Sequence, residues 1–430
     1  MRYVKPHYYD DFKCIADKCP DTCCAGWQIV IDEDTLEKYG SLAEAVSVRE
    51  GKKGTTDRDT SAFAARLFSS VDWQEGCFKQ YHKRCAMLNE KNLCDLVIEK
   101  GEEWLCDTCN RYPRHIEEFD GVREMSLSLS CPVAAEMILT CEKPVHFIVE
   151  KDDREDPLEE EFEEFDFLLF TQLEDARTVL FTIAQNRALS VDCRMRIIVR
   201  MAKEMQDCLD EERLFDMENV IESYVKYGEL TSDETAMEAV SHKGKADCTN
   251  EEATVRPEGE MTETAVCMNG EKRYTYLKDN FALFYKLERL REDWADVIAE
   301  TEKLLYRGNY AQYSHIYNEF QSEFVTDFGE KEWEIFKEQI LMFFLYTYFC
   351  GAVYDDCIYS KVAMAVFSVD YIQEFIMGSW YLAGKKMDMQ ACIRMAYRYA
   401  REVEHSDENL NLLEEWLQSG ENYSLDKEKR

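Results

Sequence analysis

The chain has 430 residues, 51 Lys plus Arg against 87 Asp plus Glu, a formal charge of -36, and 46% hydrophobic and 13% aromatic residues. That much apolar material buries one large core or two ordinary ones and excludes wholesale disorder. The acidity argues against a nucleic-acid partner and against an anionic membrane surface, because both call for clustered Lys and Arg. Its plain meaning is solubility, and its second meaning is a field that steers a cationic group such as a lysine-bearing protein or a sulfonium cofactor.

The first residues, Met1 to Lys13, carry neither an apolar h-region nor a small-residue cleavage site, so a cytoplasmic location is expected. Thiols stay reduced there, which moves the reading of cysteines from disulfides towards metal. Eleven of the 18 cysteines fall in the first 141 residues. Residues 1–145 are therefore read as a cysteine-rich metal-binding module with little regular structure. Its short apolar run Trp27 to Ile31 is strand or irregular, and Val133 to Leu139 is a short helix started by Pro132.

From there the texture becomes helical. Phe165, Leu168, Leu169, Leu173 and Leu180 recur near helical spacing within a segment taken as 146–228, and a second helix is expected from Cys193 to Leu209. Residues 229–272 are polar and lack periodicity, so they read as a linker or mobile loop. The C-terminal domain, 273–430, opens with a 3.6-residue period running from Leu283 through Leu287, Leu290 and Trp294 to Ile298. Further helices are expected near 331–350, 361–383, 387–404 and 408–418. The apolar stretch Ile340 to Val353 is too short to span a membrane and reads as a buried helix. The fold class is mainly α: the cysteine-rich module followed by an all-helical body.

The cysteines come in two runs, Cys14, Cys19, Cys23 and Cys24, then Cys77, Cys85, Cys94, Cys106 and Cys109. Their spacing excludes a ferredoxin run, a C-x3-C-x2-C triad and a finger of paired C-x2-C units, of which Cys106–Cys109 alone qualifies. Metal in general is indicated, and zinc, mononuclear iron and an iron–sulfur cluster all stay open. In an extended segment the side chains of Cys23 and Cys24 point to opposite sides, so both reach one ion only if the backbone turns sharply. The later cysteines (Cys193, Cys208, Cys248, Cys267, Cys350, Cys357 and Cys392) read as structural or surface thiols. No G-x-G occurs, so the glycine turn of Rossmann-type methyltransferases is missing, and no G-x-S-x-G, H-E-x-x-H or phosphate loop is present.

Three motifs carry a resemblance. The first is C-x4-C-x3-C-C-x2-W-x3-I-D, from Cys14 through Cys19, Cys23, Cys24, Trp27 and Ile31 to Asp32. The second is C-x2-L-x5-C with L-x3-C-x2-Y-P-R, holding Cys85, Leu88, Cys94, Leu105, Cys109, Tyr112, Pro113 and Arg114. The third is S-L-S-x-S-C-P, Ser126 to Pro132. Together they resemble the flagellin lysine-N-methylases, the FliB family, and the first two are shared with small zinc- or iron-chelating domains. The matched motifs cover about the first third of the chain.

The resemblance implies a protein-lysine N-methyltransferase that moves a methyl group from S-adenosyl-L-methionine (SAM) to lysines of a flagellin-like protein. It also implies an iron–sulfur cluster, 4Fe–4S with zinc as the alternative, held among Cys14, Cys19, Cys23, Cys24, Cys85, Cys94 and Cys109. Trp27, Tyr112 and Arg114 are the residues expected near SAM: the rings by cation–π attraction or as packing around the metal, and Arg114 or Arg111 by pairing with a carboxylate or with thiolate charge. Cys77 and Cys106 fall outside the carried-over positions, His115 is read as structural or exposed rather than as a base, and no catalytic residue is assigned. The competing reading is a non-enzymatic zinc- or iron-binding interaction protein in which the array is a structural staple.

Overall fold

The computed structural model describes residues 1–50, 58–153, 162, 165–230 and 270–418. The chain starts with strand β1 (Arg2–Pro6). An irregular cysteine loop leads to α1 (Glu33–Glu50) and α2 (Arg58–Ser70). Two antiparallel ladders of two residues a side follow, Val71–Asp72 on Cys77–Phe78 and Gln80–Tyr81 on Arg84–Cys85. Then come α3 (Asp95–Lys100), α4 (Asp107–Arg111), β2 (Arg114–Phe119), β3 (Val122–Leu127), α5 (Pro132–Leu139) and β4 (Phe147–Lys151).

The rest is helical: α6 (Phe167–Ala184), α7 (Val191–Asp210), α8 (Met217–Glu229), α9 (Gly270–Phe281), α10 (Trp294–Leu305) and α11 (Tyr310–Glu319). They continue as α12 (Glu330–Tyr348), α13 (Ile358–Leu382), α14 (Met389–Glu404) and α15 (Asp407–Gln418). The mainly α class, with an all-helical body after a module of little regular structure, is what the structure has. Of the polar stretch expected as a linker, residues 231–269 lie outside the described residues.

Helix α13 organises the body. Nearly every residue from Ile358 to Trp380 is buried, as a helix apolar on all sides must be. Its few charged groups are paired: Asp370 and Glu374 meet Arg273 at 2.7 and 3.3 Å, and Glu374 also accepts from Tyr306 and Tyr313 at 2.7 and 2.8 Å. The stretch Ile340 to Val353 is buried as expected, α12 giving way to a 3-10 turn at Phe349. Among the described residues no helix is long and apolar enough to cross a membrane.

Two features depart from the sequence reading. The 3.6-residue period from Leu283 to Ile298 does not form one helix: a 3-10 turn covers Ala282–Tyr285 and α10 starts only at Trp294. The intervening backbone finds its partners on side chains instead. Asn409 Oδ1 accepts from Glu288 N at 2.7 Å and Glu402 Oε2 from Leu290 N at 2.9 Å, so the leucines can be buried on an irregular segment without orphaning its amides.

The second departure is a four-stranded sheet of order β2-β3-β1-β4. Strand β1 lies parallel to β3 and antiparallel to β4, pairing Tyr3 with both Arg123 and Glu150. Tyr346 Oη of α12 donates to the carbonyls of Val4 and Met125 at 2.9 and 3.2 Å, which ties the sheet to the helices.

Residues 1–145 therefore divide their burial between two cores. Val4, Phe12, Phe119, Leu127, Cys131 and Ile138 pack into the large core of the helical body. Ile29, Ile31, Tyr39, Phe63, Leu67, Phe78, Cys85, Met87, Leu96 and Cys106 form a smaller core of their own.

Two stability predictions follow from these buried charges. Glu124 of β3 and Arg177 of α6 are 3% and 6% exposed and form a double hydrogen bond with each other. Removing one partner strands the other charge, so Arg177→Met should cost about 3–5 kcal/mol in chemical denaturation, while Glu124→Leu with Arg177→Met should cost far less. Burial also raises the carboxyls of Glu402 and Glu404 to about 7, above the ordinary 4.5. Between those values the folded chain holds protons that the unfolded chain has lost. Their contribution is thus fully present below about pH 4.5 and is lost as pH rises through 7. Denaturation midpoints should fall from pH 5 to pH 8, and the fall should be shallower in Glu402→Gln.

Candidate functional site

The loop from Cys14 to Ile31 is held by local hydrogen bonds and by Gly26. Thr22 Oγ1 accepts from Cys24 N at 3.2 Å, and Trp27 Nε1 donates to the Cys23 carbonyl at 2.7 Å. Gly26 has φ +95°, and a Cβ there would stand 3.1 Å from the Leu290 carbonyl oxygen. Glycine thus allows both the turn and the close approach to the body. In this bent backbone the sulfurs of Cys23 and Cys24 are 3.9 Å apart, so the adjacent pair does present both thiols to one side.

Cys85 N donates to the Cys24 carbonyl at 2.9 Å, and Leu88 and Cys94 form an antiparallel bridge. The two cysteine runs are thereby laid together. Cys85 and Cys106 belong to the small core, with Cys24, Cys94 and Cys109 packed against it. Burial pushes the Cys85 thiol up to about 12, and the charges of Cys94, Cys106 and Cys23 add to that rise. The Cys106–Cys109 pair shares a hydrogen bond that lowers Cys106 and raises Cys109. Cys23 is the exposed member of the group, and its charge also raises Cys19 and Cys131, both already raised by burial.

Cys23, Cys24, Cys85, Cys94, Cys106 and Cys109 thus lie in one region of the module, near enough for their charges to act on one another. Cys106, outside the expected set, belongs with them, and its C-x2-C spacing to Cys109 was the signal. Cys14 is exposed, its sulfur accepting from Ala16 N at 3.5 Å. Cys19 borders Cys23 and Cys131 rather than the small core. Cys77 is buried in the ladder to Asp72.

Every cysteine among the described residues is a free thiol. The donors are soft and suit zinc or an iron–sulfur centre. Among the described residues, no three Cys, His, Asp or Glu side chains stand together so as to hold a metal ion. The donor type suits such a group while their spacing does not yet form a site, so loading it would have to take the protons off these thiols and draw their sulfurs in.

Beside the thiols, at the seam with the body, lies a second constellation. Trp27 and Tyr112 come together, their ring centroids 5.8 Å apart, with the His405 ring 4.7 and 5.7 Å from them. Ser130, from the S-L-S-x-S-C-P motif, hydrogen-bonds His405 Nε2 at 2.7 Å and Tyr112 Oη at 3.0 Å. Glu404 accepts from Ser128 Oγ at 3.3 Å and Tyr348 Oη at 3.2 Å. Burial pushes His405 down to about 3, and Arg401 pushes it further the same way, so its imidazole is neutral.

Arg401 itself donates to the Ser130 carbonyl at 2.8 Å and to Asp21 of the cysteine loop at 2.5 Å. Its charge lowers Cys19 and Cys23 against their other influences, the compensating role foreseen for Arg111 or Arg114. Those two are engaged elsewhere: Arg111 pairs with Asp107 at 2.6 Å, and Arg114 lies over the rings of Tyr9 and Phe12. His115 is exposed and bonded to Glu117 at 3.0 Å. Sequence reasoning missed Asp21, Arg401, Glu404 and His405, and only the serine motif pointed to this place.

The model of the FliB lysine N-methylase C-terminal domain matches residues 177–427, which include Arg401, Glu404 and His405. The flagellar biosynthetic protein FliU of Salmonella muenchen is 29% identical over 136 residues, 32% of this chain and 76% of that protein. Lysine-N-methylases of Salmonella typhimurium and Salmonella choleraesuis are 31% and 28% identical over 138 and 136 residues. Each of these matches covers 32% of this chain, and the chain spans 32% of each methylase's own length. No solved structure matches the chain. With more than half of its residues covered by the family's own domain, the chain belongs to the FliB lysine N-methylase family.

Proposed function

We propose that this protein transfers a methyl group from SAM to the ε-amine of lysines on a flagellin-like protein, with an iron–sulfur cluster held by its N-terminal thiols. The observation that carries the transfer is the family match over residues 177–427. Soft thiol donors from two distant runs, brought into one region around the small core, support the cluster. A cluster bound there would supply a one-electron donor or a rigid anchor for the module.

The transfer itself is a displacement. The lysine nitrogen forms a bond to the methyl carbon, the carbon–sulfur bond breaks, and the thioether leaves with the electron pair. The amine attacks only when neutral, so the ammonium proton must first go to a base. In the seam constellation Glu404, raised to about 7 by burial, is matched to that task at neutral pH, whereas His405 is held too acidic to accept a proton. Trp27 and Tyr112 provide aromatic faces suited to an ammonium or a sulfonium. The net negative chain favours approach of a lysine-bearing partner.

A second reading has one observation in its favour: Cys85 and Cys106 are 6% and 0% exposed and serve as core residues, as a structural staple would. Anaerobic purification with metal analysis, a visible spectrum and labelled SAM on flagellin separates the two. Iron, sulfide and a visible absorption bleached by reductant are expected. Cys85→Ala and Cys109→Ala should lose iron and transfer together, while Cys14→Ala should keep both. Stoichiometric zinc in colourless protein, or transfer that survives loss of the metal, would reduce the array to a staple.

A further inference from the structure

Strand β2 ends one side of the sheet, whose order is β2-β3-β1-β4. Among the described residues no helix or strand other than β3 runs along it. The register decides what its free side presents. Phe119 pairs with Val122 across the Asp120–Gly121 turn, Glu117 with Glu124 and His115 with Ser126. The ladder goes on with Ser128 N donating to the Pro113 carbonyl at 2.7 Å. In an antiparallel ladder every second residue bonds to its partner. Pro113, His115, Glu117 and Phe119 therefore face β3, and the main-chain groups of Arg114, Ile116 and Glu118 point outward. Tyr354, which belongs to no strand, meets them there by donating to the Glu118 carbonyl.

Arg114 and Ile116 make no main-chain hydrogen bond on that side among the described residues. Ile116 belongs to neither core, and the side chains of His115 and Glu118 are 46% and 48% exposed. Such an edge is a template for another extended chain. Its two faces differ. His115, Glu117, Ser126 and Ser128 share one face by the two-residue period, and Ser128 Oγ on it donates to Glu404. Arg114 lies on the other, over the rings of Tyr9 and Phe12. A residue added opposite His115 thus turns its side chain to the Glu404 face. That face is acidic, since the charges of Glu404, Glu117 and Glu414 all bear on Tyr348. Its basic groups are engaged, His115 with Glu117 and Lys361 with Glu414. A long cationic side chain complements it. A second copy paired through β2 would bring two sets of Glu117 and Glu118 together, so it suits the edge poorly.

We propose that the free edge of β2 receives an extended, lysine-bearing segment of the protein substrate, which pairs with the main chain of Arg114 and Ile116 and turns its lysine toward Glu404. Tyr354 at the Glu118 carbonyl closes the far end of the edge. The inference rests on the lysine-methylation reading above and goes beyond it by naming the docking surface and the substrate's conformation. The opposite edge, β4, stands across β3 and β1 from Ser128 and has no such face beside it.

Residue-resolved hydrogen exchange of the full-length protein, with and without purified flagellin monomer, tests it. Flagellin should slow the Ile116 amide roughly tenfold and leave those of Glu117 and Phe119, already bonded to β3, as they were. Ile116→Pro removes the outward N–H without touching a bond to β3. Val149→Pro is the control on β4, where Lys5 pairs with Ile148 and His7 N donates to the His146 carbonyl, so that Val149 N points outward. Flagellin binding should weaken roughly tenfold in Ile116→Pro and stay at the wild-type level in Val149→Pro. Circular dichroism verifies both folds, and if Ile116→Pro unfolds, exchange in the wild type decides alone. Bound flagellin that leaves Ile116 exchange unchanged, equal weakening by the two prolines, or no binding of flagellin would overturn the assignment. So would slowing at Ile116 that grows with protein concentration in the absence of flagellin, which marks a second copy. Methyl transfer assayed on the same preparations keeps the two claims apart. Transfer without protection at Ile116 removes only this inference, and protection without lysine methylation removes only the proposed reaction.

Discussion

Arg401 joins the two cores of the molecule. It projects from α14, 3% exposed, and grips Asp21 of the cysteine loop and the Ser130 carbonyl of the serine motif at once. A guanidinium out of water is stable only with such partners, and their removal would leave its charge buried. Trp27 against His405, Gly26 against Leu290 and Lys83 donating to the Arg289 carbonyl complete the seam. The cysteine loop has little secondary structure of its own. The helical body supplies its footing.

The thiols gain from the same contact. Burial holds the Cys85 thiol up and the hydrogen bond to Cys106 holds Cys109 up, and the charges of neighbouring thiols add to both. Cys23 is exposed and faces Cys24, whose hydrogen bond raises its thiol, while the charge of Arg401 acts against that rise. The thiols, the aromatic rings of Trp27 and Tyr112, and the carboxyl of Glu404 are thereby set around one seam. They thus stand on either side of the contact between module and body.

Much of the body was legible in the sequence because its signals are local. Ser190 caps α7 through Cys193 N, Asp388 caps α14 through Ala391 N, and each is followed by a clear 3.6-residue period. Pro132 marked the start of α5 in the same way. The sheet was not legible, since β1 pairs with residues some 120 positions away and its two-residue-period signal is only five residues long. The Leu283–Ile298 period misled because buried leucines on an irregular segment copy a helical stripe when Asn409 and Glu402 satisfy the backbone. At the site, the cysteines and the serine motif stood out, and Trp27 and Tyr112 proved neighbours. Arg401, Glu404 and His405 carry no pattern of their own and become meaningful only where α14 meets the loop.

The central claim is that this seam serves methyl transfer to lysine. Peptide mass spectrometry of a flagellin incubated with the protein and SAM measures that directly. The account predicts methyl increments on lysine side chains, absent when SAM is omitted. Flagellin that stays unmodified in the presence of metal-loaded protein and SAM, or methyl groups found on residues other than lysine, would contradict it.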